Sequence, residues 1–128
     1  MSRHETGKCL DAVNRAKFFA ESLLKTRLSH EETPGIEAYK IALKCRLEVQ
    51  YAIALLRLEY SSEAQPPKTS RSGLESYLSK INDALSSGIA LLNSGEDAEA
   101  LDTLLTADAL LGKAIGIMRR SQKCTSLR

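Results

Sequence analysis

His30 stands in the triplet "HEE" beside Glu31 and Glu32, and with His4 it makes up the chain's whole stock of histidine. An imidazole next to carboxylates can hold a metal ion or pass a proton, but a lasting metal site needs further ligands at helix or turn spacing. None stands at such spacing. The di-iron pattern of helical bundles requires Glu-x-x-His pairs on helices, and the chain has none. Cys9, Cys45 and Cys124 are odd in number and contain no CxxC pair, so they indicate neither a disulfide framework nor a zinc site. Cys45 reads as a small apolar core residue. Two loop histidines do not assemble a Ser-His-Asp or Cys-His set, and no glycine-rich phosphate loop is present. The expectation is therefore a chain with no catalytic, cofactor-binding or metal residues and no cofactor. An enzyme reading is left with carboxylates such as Glu21 and Glu48, while Glu96, Asp97 and Glu99 in "LLNSGEDAEALDTLL" could hold a divalent cation but match no EF-hand spacing.

Basic residues offer a second chemistry. Arg57 lies near the end of one helical segment, Arg119, Arg120 and Lys123 near the end of another, and Lys68 and Arg71 in a polar stretch between them. If the helices run up, down, up, down, these six residues share one end of the bundle, a basic pole that could hold RNA or another acidic partner. Cations also favour helix C-termini through the dipole, and no aromatic residue interleaves these to stack a base. Overall charge is nearly balanced, 18 Lys and Arg against 16 Asp and Glu, so no global field draws the chain to nucleic acid or to an anionic membrane.

The elements that must position these residues are helical. Leu and Ala dominate, aromatics are 5% and Trp is absent, a mix that favours helix over strand. Apolar residues recur at helical spacing over four segments. The first, about 8 to 27, carries Val13, Ala16, Phe19, Ala20, Leu23 and Leu24. The second, about Ile36 to Tyr60, carries Ala38, Ala42, Cys45, Val49, Ala52, Ile53 and Leu56. The third, about 74 to 93, carries Leu74, Tyr77, Leu78, Ile81 and Leu85, and the fourth, about 97 to 120, carries Leu101, Leu104, Leu111, Ile115 and Met118. Pro34 and Gly35 separate the first pair, and "SSEAQPPKTSRSG", 61 to 73, separates the hairpins as a linker. In the last bend Gly95 suits a left-handed helix cap, and Asp97 suits the start of the next helix. Capping thus accounts for the acidic loop without a ligand.

The halves resemble each other. At an offset of 68, residues 10 to 24 lie on 78 to 92, pairing Leu10 with Leu78, Asn14 with Asn82 and Ala16 with Ala84. At an offset of 62, residues 37 to 58 lie on 99 to 120, pairing Glu37 with Glu99, Leu43 with Leu105, Ala52 with Ala114 and Arg57 with Arg119. The fold expected is an all-α antiparallel four-helix bundle of two tandem hairpins, about 8 to 60 and 74 to 120, in a single domain with a basic tail at 121 to 128. Residues 77 to 116, through Leu92, Gly95, Asp97, Ala100 and Ala107, resemble an archaeal helical-hairpin family, domain of unknown function 357. That resemblance implies a fold and no chemistry.

The function expected is that of a non-enzymatic oligomerising or adaptor module acting through protein contacts, with a homo-oligomer, a dimer first, as the simplest partner. The alternatives are a nucleic-acid-binding accessory protein using the basic pole and an enzyme with an unrecognised carboxylate site. The positive sign is excess apolar surface. Leu110 and Ile117 fall outside the core row of the fourth helix, Leu55 aligns with Ile117 in the first copy, and these three are the candidate subunit contact. Leu43, Leu47 and Leu58 widen the second helix in the same way. With no apolar run near the ~20 residues that span a bilayer and no export signal, a soluble cytoplasmic protein is expected, with no membrane partner. In an up-down-up-down bundle Cys9 and Cys124 also share a pole.

Overall fold

The computed structural model describes residues 3–29, 36–61 and 73–126, with side chains at 7–25, 36–61 and 73–120. They form four helices, α1 (Arg3–Ser29), α2 (Ile36–Arg57), α3 (Leu74–Asn93) and α4 (Asp97–Ser126), with no strand among the described residues. The chain is an all-α antiparallel four-helix bundle. Differences from the sequence reading lie at the ends: α1 starts at Arg3, which puts His4 in helix and not in a loop, α2 stops at Arg57 and closes through Tyr60 N–H donating to the Leu56 carbonyl, and α4 carries the expected tail in helix as far as Ser126. Residues 30–35, with His30, and 62–72, with Lys68 and Arg71, lie outside the described residues.

The bend between α3 and α4 shows why so short a connection suffices. Gly95 has φ of +78°, a backbone state open to glycine and costly to residues with a Cβ. It lets the Glu96 N–H reach the Leu91 carbonyl at 2.9 Å and the Gly95 N–H the Leu92 carbonyl at 3.2 Å, the paired bonds of a Schellman cap. Asp97 is the first residue of α4 itself, and its Oδ2 accepts from the Tyr60 hydroxyl at 3.4 Å.

Each helix packs on two others, α1 on α2 and α3, α4 on α3 and α2, so the order around the bundle is α1, α2, α4, α3. Side-chain pairs fix the directions. Between α1 and α2, Cys9 reaches Ala52 and Arg15 reaches Glu48, so numbers climb on one helix as they fall on the other. Between α2 and α4, Tyr39 meets Arg119, Arg46 meets Asp108, and Tyr60, just past α2, meets Asp97. That pair is antiparallel too. The start of α1, the end of α2, the end of α3 and the start of α4 therefore share one pole, and the other four helix ends share the opposite pole.

The directions are up, down, down, up, which corrects the expected course. Short loops force antiparallel neighbours, but residues 62–72 are long enough to join opposite poles, and here they do. Arg57 is consequently at one pole and Arg119 and Arg120 at the other. Cys9 likewise sits at the pole opposite the end of α4, so the expected approach of Cys9 and Cys124 is overturned.

The core follows the apolar rows of all four helices. Along α2 and α4 it repeats in the register of the 62-residue offset: Ala38 and Ala100, Ala42 and Leu104, Cys45 and Ala107, Val49 and Leu111, Ala52 and Ala114, Ile53 and Ile115, and Leu56 and Met118 are all buried. Positions 46 and 108 correspond at that offset and meet face to face as an ion pair, Arg46 Nε to Asp108 Oδ1 at 3.0 Å. Gly112 makes room for it, because a Cβ there would stand 3.2 Å from the Arg46 guanidinium. The 68-residue offset fares less well. Asn82 is buried while Asn14 is exposed, and Ala12 is buried while Lys80 is exposed. The α1 and α2 faces are built of Cys9, Ala12, Ala16, Ala20, Ala42, Cys45 and Ala52, small side chains that let two helices approach closely.

Candidate functional site

Polar groups inside the bundle serve one another. Asn82 donates through Nδ2 to the carbonyls of Ala20, 3.1 Å away on α1, and Leu78, 2.9 Å away on its own helix. Lys17 donates to Asn82 Oδ1 at 3.3 Å and pairs with Glu21 at 3.5 Å. Glu48 pairs with Arg15 at 3.1 Å, and Asp108 accepts from both Arg46 and Gln50. Glu21 and Glu48, the carboxylates an enzyme reading had left, are thus both bound to cations of α1, Glu21 within its own helix and Glu48 across from α2. Such satisfied pairs fix which helices are neighbours and in what register. Asp97 Oδ1 is buried without a partner among the described residues, at the positive end of the α4 dipole. No group of three or more His, Cys, Asp or Glu among the described residues could hold a metal ion.

The two described thiols are structural. Cys45 Sγ donates to the Ala16 carbonyl at 3.3 Å and Cys9 Sγ to the Ala52 carbonyl at 3.7 Å, each bonding across the α1 and α2 contact. Burial, with Glu48 adding to it, pushes the Cys45 thiol up to about 12, and burial, with Asp97 adding to it, pushes Cys9 up to about 11. Neither is a nucleophile near neutral pH, since only the thiolate attacks. The sign of the linkage follows from the raised values: stability carried by the protonated thiols is complete below pH 9 and is lost as pH rises through about 11 and 12. Alkylation of Cys9 and Cys45 at pH 8, read by peptide mass spectrometry, should run at least ~100-fold slower in the folded chain than in urea. Equal rates in both conditions would show the thiols to be open.

The structure scatters the other residues that the sequence had grouped. Leu110 is 4% exposed and belongs to the core, and Ile117 and Leu55 are half-buried against it. Leu110 is therefore not an exposed contact residue, and Ile117 and Leu55 keep only part of their surface in solvent. The reason is that Leu110 stands three residues after buried Ala107 and four before buried Ala114, on the arc of α4 that its neighbours α3 and α2 cover. Of the basic set, Arg57 and the pair Arg119 and Arg120 are exposed at opposite poles, Arg119 donates to the Tyr39 hydroxyl at 3.4 Å, and the side chain of Lys123 lies outside the described residues.

What remains uncovered is on α2. Ile36, Leu43, Leu47, Tyr51 and Leu58 are exposed, with Phe18 of α1 the one other large apolar side chain exposed among the described residues. At ~100° per residue the four on α2 fall within about 80° of one another on the side away from the core row, and Leu58 follows in the turn just past Arg57. Exposed Ala54 and Lys40 lie in the same stripe. The sequence reading had marked Leu43, Leu47 and Leu58 as a widened face, and it missed Ile36 and Tyr51. The signal was present, since both stand four residues or seven from those leucines. Apolar side chains this concentrated on a solvated helix face make it the candidate contact surface.

Compared with family models, with curated proteins and with solved structures, the chain matches none. No helix among the described residues is long and apolar enough to cross a membrane.

Proposed function

We propose that this chain is a non-enzymatic helical module that works through protein contacts, with the outer face of α2 as its docking surface. The observation that supports the reading is the exposed row Ile36, Leu43, Leu47, Tyr51 and Leu58 on an otherwise regular bundle. A chain that covers Leu110 and Ile117 internally has no packing use for a second apolar face, so the row is retained for something outside the bundle. The nucleic-acid alternative needed one basic surface, and its arginines stand at two poles. The enzyme alternative needed a cluster of unpaired carboxylates, whereas Glu21 and Glu48 are paired and Asp97, with one unpartnered oxygen, stands in no group of metal-ligating residues among the described ones.

A photo-crosslinking amino acid placed at Leu47, and in a control chain at exposed Asp83 of α3, tests the reading in a whole-cell setting. Polypeptide adducts are expected at 47 and not at 83. Equal yields at both positions, or none at either, would remove the docking surface.

A further inference from the structure

We infer that the occupant of this face is a second copy of α2, running antiparallel about a two-fold axis at Leu47. The inference rests on the docking reading above and names its partner. The stripe consists of positions 36, 40, 43, 47, 51, 54 and 58, and its steps of four, three, four, four, three and four read the same in both directions. An antiparallel copy centred on Leu47 therefore meets it layer by layer. Ile36 faces Leu58, Leu43 faces Tyr51, Leu47 faces itself, and Lys40 faces Ala54, whose small side chain leaves space for the lysine stem. The pattern is the 11-residue one of about 3.67 residues per turn, close to a straight helix, so the row stays in line over the whole of α2 with little supercoiling.

Charge selects the direction. In the antiparallel pairing exposed Lys44 lies beside Glu48 of the partner subunit, adding a second cation to the one Arg15 already supplies there, and the symmetry makes this contact twice. A parallel pairing sets Lys40 against Lys40, like charges at close range. Area is sufficient as well. The five apolar side chains, with Leu47 66% and Leu58 68% exposed, present roughly 500 Å² per subunit, and covering them twice over gives about 1,000 Å², the lower edge of a specific interface. The dimer this implies is reversible and concentration-dependent.

Sedimentation equilibrium of the full chain over a wide concentration range should show a mass rising from 14.0 kDa to twice that value. Leu47→Glu, which brings two carboxylates together on the axis, should weaken dimerisation at least ~100-fold while leaving the helical circular dichroism unchanged. In a Cys124→Ser background, Leu47→Cys should link to itself under mild oxidation faster than Lys44→Cys does, an order independent of how Leu47→Glu folds. A 14.0 kDa mass at every concentration, or faster linking at position 44, overturns the inference. If the chain stays monomeric while the photo-crosslinker at 47 still captures a different polypeptide, self-pairing fails and the docking reading stands. Capture of nothing removes both.

Discussion

Deleting residues 63–70 is expected to abolish the monomeric bundle. The connection from Ser61 to Gly73 joins opposite poles, a distance set by the 20 residues of α3 at ~1.5 Å each, about 30 Å. Intact, its twelve Cα-to-Cα steps reach roughly 40 Å at ~3.3 Å each; with eight removed, the four left reach only about 13 Å. Neither hairpin is touched by the deletion, so each keeps its own apolar face and must cover it elsewhere. The economical outcome is exchange between chains, each bundle taking one hairpin from each of two copies. To keep this separate from contacts through α2, the deletion is made in a Leu47→Glu chain and its mass followed by light scattering. The expected product is a helical species of twice the chain mass, resistant to dilution. A monomer with unchanged melting temperature and an intact Arg46 to Asp108 contact would show that the segment does not join the two poles.

The second large effect falls on Leu110 and Ile117. Replacing both with Glu should destabilise the chain by about 4 kcal/mol or more, because a carboxylate at Leu110 enters the core without a partner and the half-buried Ile117 loses its packing. Folded domains of this size hold only ~5–15 kcal/mol in reserve, so partial or complete unfolding at 37 °C follows. Leu47→Glu is the matched control. It makes the same chemical change on an exposed face, where the effect on each subunit should stay within about 0.5 kcal/mol. Urea unfolding followed by circular dichroism distinguishes them. A double variant that kept wild-type stability would return Leu110 and Ile117 to the surface and undo the account of α4 as a helix covered on two sides.

The contrast between Leu110 and Leu47 also shows where sequence reading stops. Local signals are decided by a residue and its near neighbours along the chain, and these were legible. The spacing of Ala38, Ala42, Cys45, Val49, Ala52 and Leu56 specifies a helix and its buried side whatever it packs against, and α3 runs from Leu74 to Asn93 as read. Gly95 was legible for the same reason, since a left-handed cap needs only its own backbone. The acidic loop around it is a bend. The offset of 62 is matched by burial at seven positions along α2 and α4, while buried Leu101 and Leu110 stand against half-buried Tyr39 and Glu48.

Direction and neighbourhood were not local. A linker of polar and proline residues sets an upper limit on reach but not a destination, so sequence could not decide whether α3 starts at the pole where α2 ends. That single choice dispersed Arg57 from Arg119 and Cys9 from the end of α4. It also set which helices flank α4, and hence that Leu110 is covered by the chain itself. Both Leu110 and Leu47 are apolar residues outside a core row, with the same periodicity behind them. Each of the two helices has two neighbours, and only where those neighbours stand around it decided that the arc holding Leu110 is covered and the arc holding Leu47 is left in water.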